Sequence, residues 1–127
     1  MKALKILLVF SLAFVLQGCP GDEDASTLLF YNYSGQRVYV KYDFGETVPP
    51  FSTPFFRLVQ IDEIVDNNVY VENFGPDIKF YFFVVKESTV EEFGWEQIEE
   101  QQLVDKQYEF TLEELREMDF KLKYYGD

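Results

Sequence analysis

Ile78-Lys79-Phe80-Tyr81-Phe82-Phe83-Val84-Val85 decides the fold. Its residues are aromatic and β-branched, the types that suit a pleated surface, and its eight-residue length is that of a strand. The turn-forming Asn73-Phe74-Gly75-Pro76-Asp77 sets it off from what precedes. A run with so little polar interruption reads as the central core strand. The segments around it read as strands as well. Thr27–Tyr33 and Arg37–Asp43 flank Ser34-Gly35-Gln36, a turn of hairpin length. In Arg37–Asp43 the alternation puts Val38, Val40 and Tyr42 on one side and Arg37, Tyr39, Lys41 and Asp43 on the other. Pro49, Pro50 and Pro54 interrupt the chain before a third strand at Phe55–Ile61, and Asn68–Glu72 is the fourth.

The C-terminal third is mixed. Glu91 to Gln102 carries helix formers, with Phe93, Trp95, Ile98 and Gln102 roughly in helical register and Gly94 weakening its first half. Trp95 reads as a plug beneath the sheet. After a short strand at Tyr108-Glu109-Phe110, Thr111-Leu112-Glu113-Glu114 matches a capping box, opening a two-turn helix that buries Leu112 and Leu115. Phe120–Tyr125 alternates again as the last strand, with Phe120, Leu122 and Tyr124 inward. The expectation is a mainly β fold with an α+β margin: an antiparallel sandwich or sheet of about seven strands with two short C-terminal helices.

The first 18 residues are of another kind. Lys2 and Lys5 precede Ile6–Leu16, an apolar run with Ser11 as its one polar member. That order is the order of a secretory signal peptide, and the run is shorter than the roughly 17–25 residues a membrane span needs. Leu16-Gln17-Gly18-Cys19 then resembles the lipobox of bacterial lipoproteins. The resemblance implies cleavage between Gly18 and Cys19, with the Cys19 thiol taking a diacylglyceryl group and the new N-terminus a further acyl chain such as palmitate. The small Gly18 fits the approach of a peptidase, and Cys19 is the only cysteine of the chain. Two or three acyl chains make a stable anchor, at ~0.8 kcal/mol per buried methylene. The domains are therefore residues 1–18 as signal peptide, 19–26 as lipidated cysteine and acidic tether, and 27–127 as one β-rich domain. Asp22-Glu23-Asp24 in the tether resembles the acidic signal that sends Bacteroidetes lipoproteins to the outer face of the outer membrane. A solvated linker that keeps its distance from an anionic surface is the alternative.

Composition narrows the function. The 127 residues include 23 acidic and 11 basic side chains and no histidine. Cleavage would remove Lys2 and Lys5, leaving 9 basic against 23 acidic residues, a net charge of −14. That balance argues against nucleic acid, whose binding rests on neutralised phosphates. Without histidine there is no Ser-His-Asp or Cys-His arrangement and no histidine-ligated metal, and one cysteine forms no internal disulfide. A carboxylate pair of glycosidase type would have to come from Glu91, Glu92, Glu96, Glu99 and Glu100, a run that reads as a solvated face. Asp22-Glu23-Asp24 lacks the spaced ligands of a calcium loop. No enzyme, cofactor or metal is expected. The strand tyrosines Tyr31, Tyr33, Tyr39, Tyr42, Tyr70, Tyr81, Tyr124 and Tyr125 are the candidate binding surface, suited to a protein partner or to stacking on sugar rings, and also to plain cross-strand pairing. Asn32-Tyr33-Ser34 matches a glycosylation sequon, for which its turn chemistry is sufficient reason.

Three segments together carry a wider resemblance: Asn32–Val40 (NYSGQRVYV), Trp95-Glu96-Gln97-Ile98, and Tyr108–Leu115 (YEFTLEEL) with its closing tyrosine strand. The arrangement resembles a family of small lipoproteins of gut Bacteroidetes with an asparagine-x-serine hairpin at the start and a capped helix at the end. Met118-Asp119-Phe120 stands where that family has an asparagine-tryptophan pair. The resemblance implies a compact β-rich domain on an envelope lipid anchor and brings no activity with it. The expected role is non-catalytic, docking another envelope protein, with a carbohydrate-binding accessory role in glycan uptake as the alternative. Replacement of Cys19 by serine is expected to abolish metabolic palmitate labelling; labelling that persists in Cys19→Ser contradicts the lipobox.

Overall fold

The computed structural model describes residues 25–50 and 56–127. The signal peptide, Gly18, Cys19 and Asp22-Glu23-Asp24 lie outside the described residues. Seven strands form two sheets: β1 (Ala25–Asn32), β2 (Val38–Gly45), β3 (Arg57–Val59), β4 (Ile64–Tyr70), β5 (Lys79–Lys86), β6 (Lys106–Phe110) and β7 (Lys121–Tyr124). One sheet has the order β4-β1-β7 and the other β3-β2-β5-β6. Two helices accompany them, α1 (Glu87–Gln101) and α2 (Leu112–Glu117), with a 3-10 turn at Val71–Asn73. The mainly β, two-sheet architecture expected from the sequence is the architecture observed.

The run that decides the fold lies between β2 and β6, inside the larger sheet. Phe80 to Val85 are all buried, because both faces of β5 are covered. Phe80, Phe82 and Val84 face the smaller sheet and pack with Leu28, Phe30, Val38, Val40, Leu122 and Tyr124. Tyr81, Phe83 and Val85 face the other way, against Ile98, Val90 and Trp95 of α1. The molecule is thus three layers deep: small sheet, large sheet, helix. Trp95 is the plug its position promised, with Tyr39 edge-on at 4.9 Å and Phe56 tilted at 5.0 Å between ring centroids.

α1 begins at Glu87, four residues earlier than Glu91, because partners outside the helix take up its first N–H groups. The Arg37 carbonyl accepts from Glu87 N at 3.0 Å, and Gln36 Oε1 accepts from Ser88 N at 3.2 Å. The Asp105 carboxylate accepts from Lys86 N at 2.7 Å and from Thr89 Oγ1. Gly94, at φ 77 and ψ 157, breaks the helix in its middle, a conformation open to glycine and strained for other residues. The capping box of α2 is present in both directions: Glu114 N donates to Thr111 Oγ1 at 3.1 Å, and Thr111 N to Glu114 Oε1 at 2.9 Å.

Two expectations are corrected. β1 and β2 do not form a hairpin, since β1 pairs with β4 and β7 while β2 pairs with β3 and β5. The Ser34-Gly35-Gln36 segment is a corner between sheets, and Asn32 explains why. Its fully buried side chain donates to the carbonyls of Gln36 at 2.8 Å and Gln60 at 2.9 Å, and accepts from Ser34 Oγ at 2.6 Å. These bonds bend the chain away from β1 instead of returning it alongside. The second correction is the pairing of β1 with β7, which is parallel, Leu29 opposite Lys121 and Asn32 opposite Tyr124; the other pairs are antiparallel. Element limits also shift. The third strand shrinks to Arg57–Val59, and the fourth starts at Ile64 and ends at Tyr70, where Val71–Asn73 winds into the 3-10 turn.

Asn32→Ala is expected to cost about 0.5–1.5 kcal/mol for each of the three side-chain hydrogen bonds it removes, to Gln36, Gln60 and Ser34. Thr111→Ala, the loss of a cap, is expected to cost about 1 kcal/mol. Urea unfolding of the two variants orders them, and an Asn32→Ala midpoint at or above that of Thr111→Ala contradicts the role given to Asn32.

Candidate interaction face

The helix covers one face of the large sheet, and the small sheet covers the other. The outer face of the small sheet has no such cover among the described residues. Alternation decides what it displays: Leu28, Phe30 and Asn32 point in, so Thr27, Leu29 and Tyr31 point out. On β4, Val65, Asn67 and Val69 are buried and Ile64, Asp66, Asn68 and Tyr70 are exposed. On β7, Leu122 and Tyr124 are buried and Lys121 and Lys123 exposed.

The register lines these residues up in rows. Asp66, Leu29 and Lys121 are one row, and Ile64, Tyr31 and Lys123 the next. Beyond the last row, Tyr33 N donates to the Tyr124 carbonyl at 2.8 Å, which carries the sheet one step further and sets Tyr33 beside Tyr125. The rings run on continuously: Tyr31 to Tyr33 at 5.8 Å and Tyr33 to Tyr125 at 5.6 Å between centroids, tilted by 40° and 35°. The Lys123 ammonium lies 5.8 Å from the Tyr31 ring centroid, within reach of its π face. Ile64 is 50%, Tyr33 40% and Tyr125 61% exposed, an apolar strip with a polar rim. The corner is held from behind, where Lys86 Nζ donates to the Gly126 carbonyl at 2.8 Å and Gly126 lies so close to Ser34 that a Cβ would come within 3.3 Å of its side chain.

The structure divides the strand tyrosines. Tyr31, Tyr33 and Tyr125 come together. Tyr39 goes under α1, Tyr81 and Tyr124 into the core, and Tyr42 against Phe80 at a ring distance of 5.4 Å. Tyr70 is exposed at the far end of the same outer face, opposite Ala25 in the register. Glu91, Glu92, Glu96 and Glu100 are exposed along α1, and Glu99 is half-buried there. Among the described residues no group of three or more acidic or cysteine side chains is placed to hold a metal ion.

A groove of about 470 Å³ runs along Phe93, Glu96 and Glu100 on α1, and two others flank the sheets. One of about 550 Å³ runs along Tyr42, Arg57, Asp66 and Asn68, where the sheets splay. The protein bridges it with its own bonds, from Arg57 Nη1 to the Asp66 carbonyl at 2.8 Å and from Tyr42 Oη to the Asn68 carbonyl at 3.3 Å. The other, about 540 Å³, separates Phe74–Lys79 from the start of α2. Its position between a turn and a capped helix end makes it a packing seam.

No family model, curated protein or solved structure matches this chain. The face therefore has to be read from its own chemistry. The sequence singled out the tyrosines but not their grouping, because that depends on the parallel β1–β7 pair. It also gave no sign of Asn32 beyond a turn, although Asn32 is what aims its neighbours Tyr31 and Tyr33 outward.

Tyr124, next in the chain to the exposed Tyr125, is fully buried. Its hydroxyl is buried without a hydrogen-bond partner among the described residues, and burial, reinforced by Asp105, Tyr108 and Asp127, pushes its pKa up to about 12. The folded state resists ionisation that the unfolded chain undergoes near pH 10, so the stability is whole below pH 10 and is lost as pH rises toward 12. Tyr124→Phe is expected to flatten this alkaline limb and to cost less than about 1 kcal/mol at pH 7, since no hydrogen bond is given up. Thermal melts from pH 8 to 12 check it; an unchanged limb contradicts the assignment.

Proposed function

We propose that this is a cell-envelope lipoprotein that docks another envelope protein through the Tyr31–Tyr33–Tyr125 face, without catalysis of its own. The signal peptide, Gly18-Cys19 and the Asp22-Glu23-Asp24 tether support the envelope part, as does the resemblance to small Bacteroidetes lipoproteins. The placement is on the outer membrane, facing the cell surface, with the lipid on Cys19 as the membrane contact. The docking part is supported by the uncovered strip itself. Tyrosine supplies large contact area at little entropic cost and is enriched where partners meet, and Ile64 and Leu29 extend the strip between the rings and the charged rim.

The same tyrosines support a second reading, an accessory protein that binds a glycan. Stacking on a sugar calls for ring faces lying flat and free. The 35–40° tilts and the contacts of Tyr33 with both neighbours favour the protein reading. The exposed glutamates of α1 give the opposite side of the molecule a dense negative charge, whereas the tyrosine strip has Lys121 and Lys123 alongside Asp66.

A photo-crosslinking amino acid at position 125, in cells that make the full chain, is expected to give a discrete adduct of higher mass. The same group at position 100 on α1 is expected to give none. An adduct that proteolysis of the partner removes supports protein docking, and one that only glycosidase treatment removes supports the glycan. Equal adducts from positions 125 and 100 contradict both.

A further inference from the structure

β1 is at once the strand that leaves the tether and the strand that carries the tyrosines. Ala25 begins it, and Cys19 lies six residues upstream, so the chain between lipid and domain reaches at most ~20 Å even when fully extended. From Ala25 to Tyr33 the strand direction advances by about 25 Å at the usual rise per residue. The parallel partner β7 runs the same way and delivers Tyr125 to the same end. The antiparallel β4 runs back and delivers Tyr70, with Glu72 in the turn beyond it, to the end where the tether enters. Tyr33, Tyr125 and the neighbouring Lys123 thus lie at one end of the face, and Tyr70 and Glu72 at the other.

We infer that the domain stands end-on from the membrane, with the Ala25–Tyr70 end toward the lipid and the Tyr33–Tyr125 end presented outward. This rests on the proposed lipidation of Cys19 and on the docking role of the tyrosine face. A short tether that enters at one end of a strand leaves the opposite end as the part best able to clear the headgroup layer. A partner that arrives there meets Tyr33, Tyr125 and Tyr31 first, with the Lys123 ammonium over the Tyr31 ring.

The test uses the full lipidated protein in phosphatidylcholine vesicles that carry a headgroup-linked energy acceptor. A donor dye is attached at Glu72→Cys or at Tyr125→Cys; Cys19, being acylated, does not compete for the dye. Energy transfer is expected to be several-fold stronger from position 72 than from position 125. Protein that fails to float with the vesicles overturns the lipoprotein reading and the orientation with it. Protein that floats but transfers equally from both positions, or more from position 125, overturns the orientation alone.

Discussion

One buried amide holds the corner on which the rest of the molecule turns. Asn32 ends β1, and its side chain collects the carbonyls of Gln36 and Gln60 while its oxygen takes the Ser34 hydroxyl. Its backbone adds two more bonds, donating to the Glu63 carbonyl and accepting from Asp62 N, both at 3.0 Å. Three pieces of chain thus meet at one residue: the end of β1, the corner into β2, and the turn from β3 to β4. The chain crosses between the sheets twice here, from β1 to β2 and from β3 to β4. A buried amide costs stability unless its donors and acceptors are used, and here they are used to fix the crossing points. An apolar residue of that size would give up all of these bonds at once and free the two turns from each other.

From that corner the layers follow. β1 is committed to the small sheet and β2 to the large one, so the apolar faces of both close on each other over Phe30, Phe82 and Tyr124, whose rings stack at 5.1 and 6.2 Å. The large sheet then needs cover on its second side, because β5 is apolar on both, and α1 supplies it through Trp95, Ile98 and Val90. Among the described residues no third element covers the outer face of the small sheet. Its exposure is a consequence of topology, and its tyrosines are a consequence of alternation about Asn32: Phe30 and Asn32 inward require Tyr31 and Tyr33 outward. The fold constraint and the candidate site are one fact seen from two sides.

Much of this was legible in the chain. The continuous apolar run of β5, the alternation in Arg37–Asp43, the capping box at Thr111 and the plug at Trp95 are local signals, and each corresponds to what the structure contains. What could not be read is non-local. Ser34-Gly35-Gln36 has the length and glycine of a hairpin, and only the distant Gln60 carbonyl, reaching Asn32 across 28 positions, makes it a corner. The parallel β1–β7 pair joins the two ends of the domain and leaves no local trace in either strand. The early start of α1 has the same origin, since Arg37, Gln36 and Asp105 satisfy its first turn from other elements. The grouping of Tyr31, Tyr33 and Tyr125 depends on that same parallel pair, so the tyrosines were legible as residues but not as a surface.

The central claim is that the tyrosine face is bare in the isolated protein and covered in the envelope. Hydroxyl-radical footprinting of Tyr33 and Tyr125, on intact cells and on the purified protein, tests it most directly, with Phe93 on the exposed side of α1 as the internal reference. The account predicts that both tyrosines are oxidised readily in the purified protein and shielded on cells, while Phe93 reacts alike in the two. Tyrosines oxidised to the same extent in both settings would contradict it.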